Sequence, residues 1–451
     1  MKQFLLGFGV LILCGCATYG VIDNVPLKAT GAAGGYSIRS HGGGRGSGDI
    51  SLVLAFSGGG TRAAALAYGA LEELRDSNLL IDGRRRRLLD EIDVISSVSG
   101  GSFTAAYYGL YGERIFQDFE DAFLRQNVQG QLIRGLLNPL QWFGETGRTE
   151  MAVKFYEETV FHGATFADLQ RKDAPLIVIN ASDLGYGVRF SFVQEYFNLL
   201  CSNISSFPVA RAVTASSAVP VVFNPVVVEN YEDCKGVTPP WLVAAERRLA
   251  SNPQMAQVVD GLQSYSKRDG RKYIHFVDGG ITDNLGLRAV YEVIEVAGGG
   301  KEYLRKFDRK PPQRLVIISV NASTDPAPEM DASKRRPSLD ETIAAVTDVQ
   351  LHRYNAATLE LMQQSVKRWA REMSIPGRPV TPYFIQIGFR GISQPERRQF
   401  FNRIPTSFSL SDEQVDKLIA AGHELLRANP DYQRLLAGLG GSRVAAPALL
   451  Q

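Results

Sequence analysis

Two segments constrain the fold more than any other part of the chain: "SLVLAFSGGGTRAAALAYGALEEL" at 51–74 and "EIDVISSVSGGSFTAAYYGLYG" at 91–112. Each passes from a short apolar run through a glycine turn into a stretch rich in Ala, Leu or Tyr. The first reads as a buried strand over 52–56, a tight turn over 57–60 and a helix from Thr61. The second reads as a strand over 92–97, a sharp turn at Ser99-Gly100-Gly101 and a helix over 102–110. Strands that turn directly into helices belong to a sheet with helices packed on it, an α/β fold. Further strands fit: "PLIVINAS" and "VRFSFVQ", separated by residues 183–187, read as a strand pair, and "RLVIISV" at 314–320 as another buried strand.

The glycine turns also carry chemistry. Gly58, Gly59 and Gly60 let the backbone approach a ligand closely, and the N–H groups that open the following helix favour negative charge. The spacing matches neither the phosphate loop Gly-x-x-x-x-Gly-Lys-Ser/Thr nor the dinucleotide fingerprint Gly-x-Gly-x-x-Gly. An oxyanion hole built on the Gly59 and Gly60 amides fits better; a plain strand-to-helix packing turn is the bland alternative. In the second unit the strand–turn–helix geometry would lift Ser99 to the C-terminal edge of the sheet, as in a nucleophile elbow. The motif departs from Gly-x-Ser-x-Gly in having Ser97 at its first position. Ser96, Ser97 and Ser102 read as packing and capping residues.

A nucleophilic serine needs a base. The histidines are His41, His162, His275, His352 and His423, and only the last two follow both Ser99 and an acid in hydrolase chain order. His352 lies in the helical stretch "TDVQLHRYNAATLELMQQ", where a polar helix residue is the better reading. Asp278 is placed differently, at the end of a strand over 273–277 and beside Gly279 and Gly280. Burial can raise a carboxyl pKa until the group serves as base without histidine. Asp283 is a rival farther along the same loop, and Asn284 reads as an amide that holds that loop.

With 451 residues, 45% of them hydrophobic, the chain can bury a substantial core, and a net charge of +2 argues against a nucleic-acid partner. The basic run Arg84–Arg87 reads as a solvated loop. At the N-terminus, Met1-Lys2-Gln3 and the ten apolar residues 4–13 form a signal too short to span a bilayer. Leu13-Cys14-Gly15-Cys16 then resembles the lipobox of bacterial lipoproteins. The resemblance implies a signal peptide over 1–15, a lipidated Cys16 anchored in the cell envelope, and an outer-membrane address, because Ala17 rather than Asp follows the cysteine. Residues 16–50, rich in Gly and Ala, read as a flexible tether. Export leaves Cys201 and Cys234 as the remaining thiols, an expected disulfide in an oxidising compartment.

Together these pieces resemble the patatin-like phospholipase family of lipid acyl hydrolases. Gly58-Gly59-Gly60-Thr61-Arg62 is similar to the family's oxyanion block, Ser97-Val98-Ser99-Gly100-Gly101 to its elbow, Asp278-Gly279 to its acid, and "ARAVTASSAVPVVFNP" to its Ala-Ser-x-Ala-x-Pro stretch. Ala63 stands where many patatins have glycine. The resemblance implies a three-layer α/β sandwich with a central mixed, mostly parallel sheet flanked by helices. It also implies a Ser99–Asp278 dyad acting on ester bonds of membrane phospholipids or other lipids. Gly58, Gly59, Gly60 and Gly100 would form the oxyanion hole, with Arg62 as electrostatic support. The parts require no metal or cofactor. The catalytic core is expected over 51–325 and a C-terminal helical extension over 326–451, with helices at 338–374 and 410–438 and the strand "YFIQIGF" between them. Residues 131–147, "QLIRGLLNPLQWFGETG", read as helical packing against the sheet, with an acyl-chain flap as the alternative. Two other functions stay open: a non-catalytic lipid-binding or assembly lipoprotein on the same fold, and a His-assisted serine esterase.

Overall fold

The computed structural model describes residues 19–27, 35–40, 46–81, 83–128, 130, 147–220, 222–232, 239–325, 331, 334–440 and 442–443. The two strand–turn–helix units form as the pattern demands: β1 (Ile50–Phe56) leads to α1 (Gly60–Asp76), and β2 (Ile92–Val98) leads to α2 (Gly100–Tyr111). They are followed by β3 (Leu176–Asp183), β4 (Val188–Ser191), α3 (Val209–Ser216), β5 (Val226–Glu229) and β6 (Tyr273–Val277). The chain continues with α4 (Leu287–Ala297), β7 (Arg314–Asn321), α5 (Leu339–Met373), β8 (Thr381–Gly388) and α6 (Asp412–Ala428).

The eight strands make one sheet in the order β8-β7-β1-β2-β3-β6-β5, with β4 paired to β3. Strands β8, β7, β1, β2 and β3 are mutually parallel. β6 is antiparallel to both β3 and β5, and β4 is antiparallel to β3. This is the expected mixed, mostly parallel sheet. Every residue of β3 is buried, and so is every residue of β1 except Ser51. Burial of both inward and outward side chains requires helices on both faces, which is why these strands read as continuous apolar runs.

The register brings the chemistry together. Val98 pairs with Asn180 in the parallel β2–β3 ladder, and Val277 pairs with Ser182 in the antiparallel β6–β3 ladder. One step beyond each pair, Ser99 and Asp278 flank the same residue of β3, Ala181. The reversal of β6 relative to its neighbours thus places its C-terminal residue beside the C-terminal end of β2.

Three features differ from the expectations. The segment after residue 326 is more than a helical extension, because β8 completes the sheet alongside β7 and α6 covers α1. A Cβ on Gly69 would lie 2.0 Å from the Ile419 carbonyl oxygen, and one on Gly422 would lie 2.2 Å from that of Leu66. Only glycine permits this contact between α1 and α6.

Residues 19–27 and 35–40, within the stretch read as tether, are docked. Tyr36 is wholly buried, and its hydroxyl donates to the Ile177 carbonyl and accepts from the Ile177 N–H. Glycine-rich composition hid these isolated anchors. Finally, Arg84–Arg87 is a strand, paired antiparallel with Ser77–Ile81. Arg86 engages Glu91, and Arg87 engages Asp90 and Glu113, while Arg84 and Arg85 are exposed.

Candidate active site

Ser99 stands between β2 and α2 with φ 49° and ψ −124°, a backbone conformation that a non-glycine residue adopts only under constraint. The constraint is visible. Its N–H donates to Ser216 Oγ at 2.8 Å, and a Cβ on Gly100 would fall 1.9 Å from the Gly60 carbonyl oxygen. The start of α2 is thus pressed against the glycine loop, which explains why no larger residue could follow Ser99. Ser99 Oγ donates to Asp278 Oδ2 at 2.8 Å.

Asp278 is 8% exposed, and its other oxygen, Oδ1, accepts from the Gly280 N–H at 2.7 Å. Burial pushes its pKa up from an ordinary 3.8 to about 6; the Gly280 N–H and Ser99 oppose that rise. Among the described residues no cation pairs with Asp278. The carboxylate therefore keeps a raised proton affinity while remaining ionised at neutral pH, as a general base requires.

The glycine loop lies against the serine: a Cβ on Gly58 would sit 3.4 Å from Ser99 Cβ. Gly59 has φ 136°. Among the described residues the amides of Gly59, Gly60 and Gly100 donate to no protein acceptor. The Gly58 amide is different, because it donates to the Asn284 carbonyl at 2.9 Å. This corrects its assignment as an oxyanion donor: Gly58 ties the glycine loop to the loop that carries Asp278.

Arg62 lies beside the glycine loop, as expected of its position. Its guanidinium donates to the carbonyls of Ala322 at 2.9 Å and Ile404 at 2.5 Å and to Thr406 Oγ1 at 3.1 Å. The same guanidinium lies against the glycine loop, where a Cβ on Gly59 would fall 3.2 Å from its Nη2, so these hydrogen bonds tie two distant segments to the loop expected to hold the oxyanion.

His41 lies outside the described residues, and the other four histidines stand elsewhere. His352, on α5, has its Nε2 2.8 Å from the Thr324 carbonyl, and His423 joins Glu73, Asp76 and Arg427 between α1 and α6. His275 is exposed on β6 and His162 at the end of a helix. Ser99 is paired with an acid and with no imidazole among the described residues.

Two residues that the sequence left without a role hold Ser99 and Asp278 in place. Ser216, inside the Ala-Ser-x-Ala-x-Pro stretch, accepts from Ser99 and donates to the Asn180 carbonyl at 2.6 Å. The Ser216 carbonyl accepts from the Gly279 N–H, and that of Ala218 accepts from the Asp278 N–H. The end of α3 therefore positions both Ser99 and Asp278. Asn180 in turn donates to Ser96 Oγ and to the Ser97 carbonyl, and it accepts from the buried Arg189, itself paired with Glu292.

Cys201 is buried and disulfide-bonded, away from the dyad and beside Arg268. Cys234, Cys16 and residues 131–146 of the flap reading lie outside the described residues. Among the described residues no group of three His, Cys, Asp or Glu side chains is arranged to hold a metal, and no helix is long and apolar enough to cross a membrane.

The sequence model of the patatin-like phospholipases matches residues 54–291, more than half of the chain and the stretch that contains the glycine loop, Ser99 and Asp278. The chain belongs to the patatin-like phospholipase family. No curated protein matches it in sequence. Among solved structures it is similar to human GIVD cytosolic phospholipase A2 at 11% identity and a TM-score of 0.42, covering 89% of this chain and 64% of that one. The complex of the same human protein with methyl γ-linolenyl fluorophosphonate matches at 13% identity and a TM-score of 0.39, covering 87% and 59%. This patatin-like chain spans about three-fifths of the length of those structures.

Proposed function

We propose that the protein is a lipid acyl hydrolase that cleaves carboxylic esters of membrane lipids, phospholipids among them, through Ser99 and Asp278. Asp278 Oδ2 takes the hydroxyl proton as Ser99 Oγ attacks the ester carbonyl carbon. The tetrahedral oxyanion faces the free amides of Gly59, Gly60 and Gly100, fixed donors that need no reorganisation as charge develops. Collapse breaks the bond to the leaving alcohol, which receives the proton from Asp278. Water, deprotonated by the same carboxylate, then attacks the acyl-Ser99 ester, releasing the fatty acid and restoring the serine.

The observation that carries this reading is the 2.8 Å bond from Ser99 Oγ to a buried carboxylate that has no cationic partner among the described residues. The patatin-like family membership supports the substrate class. The signal-like residues 1–15 and the lipobox-like Cys16 support a further reading, that the protein is lipidated and held in the bacterial envelope, at the outer membrane.

The test is fatty acid release from mixed phospholipid vesicles by the natural chain, Ser99→Ala and Asp278→Asn, each shown to be folded. Release that both substitutions abolish is the expected result. A natural chain that releases nothing, from vesicles or from short-chain esters, would favour the non-catalytic lipid-binding alternative.

A further inference from the structure

The proposed lipid anchor is separated from the folded body by very little chain. Gly20 already lies on the outer face of β5, where a Cβ on it would fall 2.3 Å from Val227 Cγ2. Asp23 then engages the buried Arg211 of α3. Asn24 brackets the edge strand, donating to the Glu229 carbonyl at 2.8 Å and accepting from the Glu229 N–H at 2.9 Å. Val25–Pro26 pairs with Ser202–Asn203, and Tyr231 donates to the Asn24 carbonyl. Cys16 precedes Gly20 by four residues. Even fully extended, such a length spans at most about 14 Å. Acyl chains on Cys16 would therefore hold the β5 edge close to the bilayer, instead of letting the body swing on a long tether.

That edge has a surface suited to the place. Val227 pairs with His275 and Glu229 pairs with Tyr273, so Tyr273 and His275 stand on the same outer face that Gly20 covers. Tyr19 is 90% exposed, Val21 44% and Tyr273 46%. Lys272 Nζ lies 5.8 Å from the centre of the Tyr273 ring. Tyrosines beside a lysine match the headgroup level, where an amphipathic ring and an ammonium both remain solvated at one end.

The register also sets the direction. Tyr273 lies five residues before Asp278 on the arm of β6 that overhangs the C-terminal ends of the parallel strands, about 16 Å beyond the dyad at the rise of a β-strand.

We propose that the outer face of the β5–β6 edge, presenting Tyr19, Val21 and Tyr273, is the surface that lies on the phospholipid bilayer, so that the end of the sheet carrying Ser99 and Asp278 is turned toward its substrate. This rests on the reading of Cys16 as lipidated.

The test uses the full chain purified from bacterial membranes and reconstituted in phosphatidylethanolamine–phosphatidylglycerol vesicles. An environment-sensitive fluorophore is attached through Tyr273→Cys or Lys272→Cys, and in a separate protein through Thr381→Cys, exposed at the start of β8 on the opposite edge of the sheet. The N-terminal peptide is examined by mass spectrometry. The expected result is acylated Cys16, flotation with the vesicles that Cys16→Ser abolishes, and quenching by headgroup-level nitroxide lipids at least about two-fold stronger at 273 and 272 than at 381. Acylation and flotation with equal quenching at all sites, or with quenching stronger at 381, would overturn the assignment of the face and leave the anchor standing. An unmodified Cys16 would overturn the anchor and the proposal with it.

Discussion

Asp278→Asn removes a buried negative charge while keeping the shape of the side chain. The amide can accept from the Gly280 N–H and donate to Ser99 Oγ, so neither partner is left unsatisfied. The folded chain holds the Asp278 proton more tightly than the unfolded chain, because burial raises the pKa from 3.8 to about 6. Ionisation of the folded state therefore costs nothing below 3.8, an increasing amount between 3.8 and about 6, and about 3 kcal/mol above that. The variant should match the natural chain in stability at the acid end and exceed it by up to about 3 kcal/mol well above pH 6, as read from denaturant unfolding across pH. Its kcat/KM for ester hydrolysis should fall about 10²–10⁴-fold, the usual range for loss of a general base. A variant less stable than the natural chain above pH 6 would refute the reading of Asp278 as a desolvated carboxylate. Retained activity would refute its role as base.

The same carboxylate must be ionised to take the serine proton, so kcat/KM should rise with pH through about 6 and then level, and an acid limb centred near pH 4 would contradict this. Ser99→Gly should be more stable than Ser99→Ala by about 1–2 kcal/mol in thermal or denaturant unfolding, because glycine alone adopts φ 49°, ψ −124° without strain. Ser216→Ala leaves the Ser99 N–H without its acceptor; a stability loss of about 1–3 kcal/mol is expected, with kcat reduced more than KM is raised. Arg62→Met should lower stability by a similar amount, yet the folded fraction should keep its reactivity at Ser99, since the guanidinium serves Ala322, Ile404 and Thr406. Loss of reactivity in folded Arg62→Met would instead make its charge, beside Gly59, a support of the oxyanion site.

Ser99 and Asp278 were legible because each ends a strand whose apolar pattern is local and each is followed by glycines that only a tight approach requires. The sheet was legible for the same reason: β1, β3 and β7 are buried on both faces and carry no competing signal. What stayed hidden depends on partners far along the chain. The acceptors of Arg62 lie 260, 342 and 344 residues away, so its motif position said nothing about where its donors point. The role of Ser216 rests on a hydrogen bond to Ser99 across 117 residues, although its Ala-Ser-x-Ala-x-Pro stretch had marked the region. Gly58 looked like its two neighbours, and only the Asn284 carbonyl distinguishes it. The docked part of the N-terminal segment is held by scattered contacts, those of Asp23, Asn24 and Tyr36 and the short Val25–Pro26 strand, set in a composition that otherwise describes a linker.

In the proposed mechanism a buried carboxylate alone activates Ser99. A fluorophosphonate probe tests it directly, because stoichiometric attack requires an activated serine and no knowledge of the natural lipid. Labelling of the full chain, mapped by peptide mass spectrometry, should occur at Ser99, vanish in Ser99→Ala, weaken strongly in folded Asp278→Asn and persist in His352→Ala and His423→Ala. No labelling of the natural chain, or labelling that survives Asp278→Asn and disappears with a histidine, would contradict it.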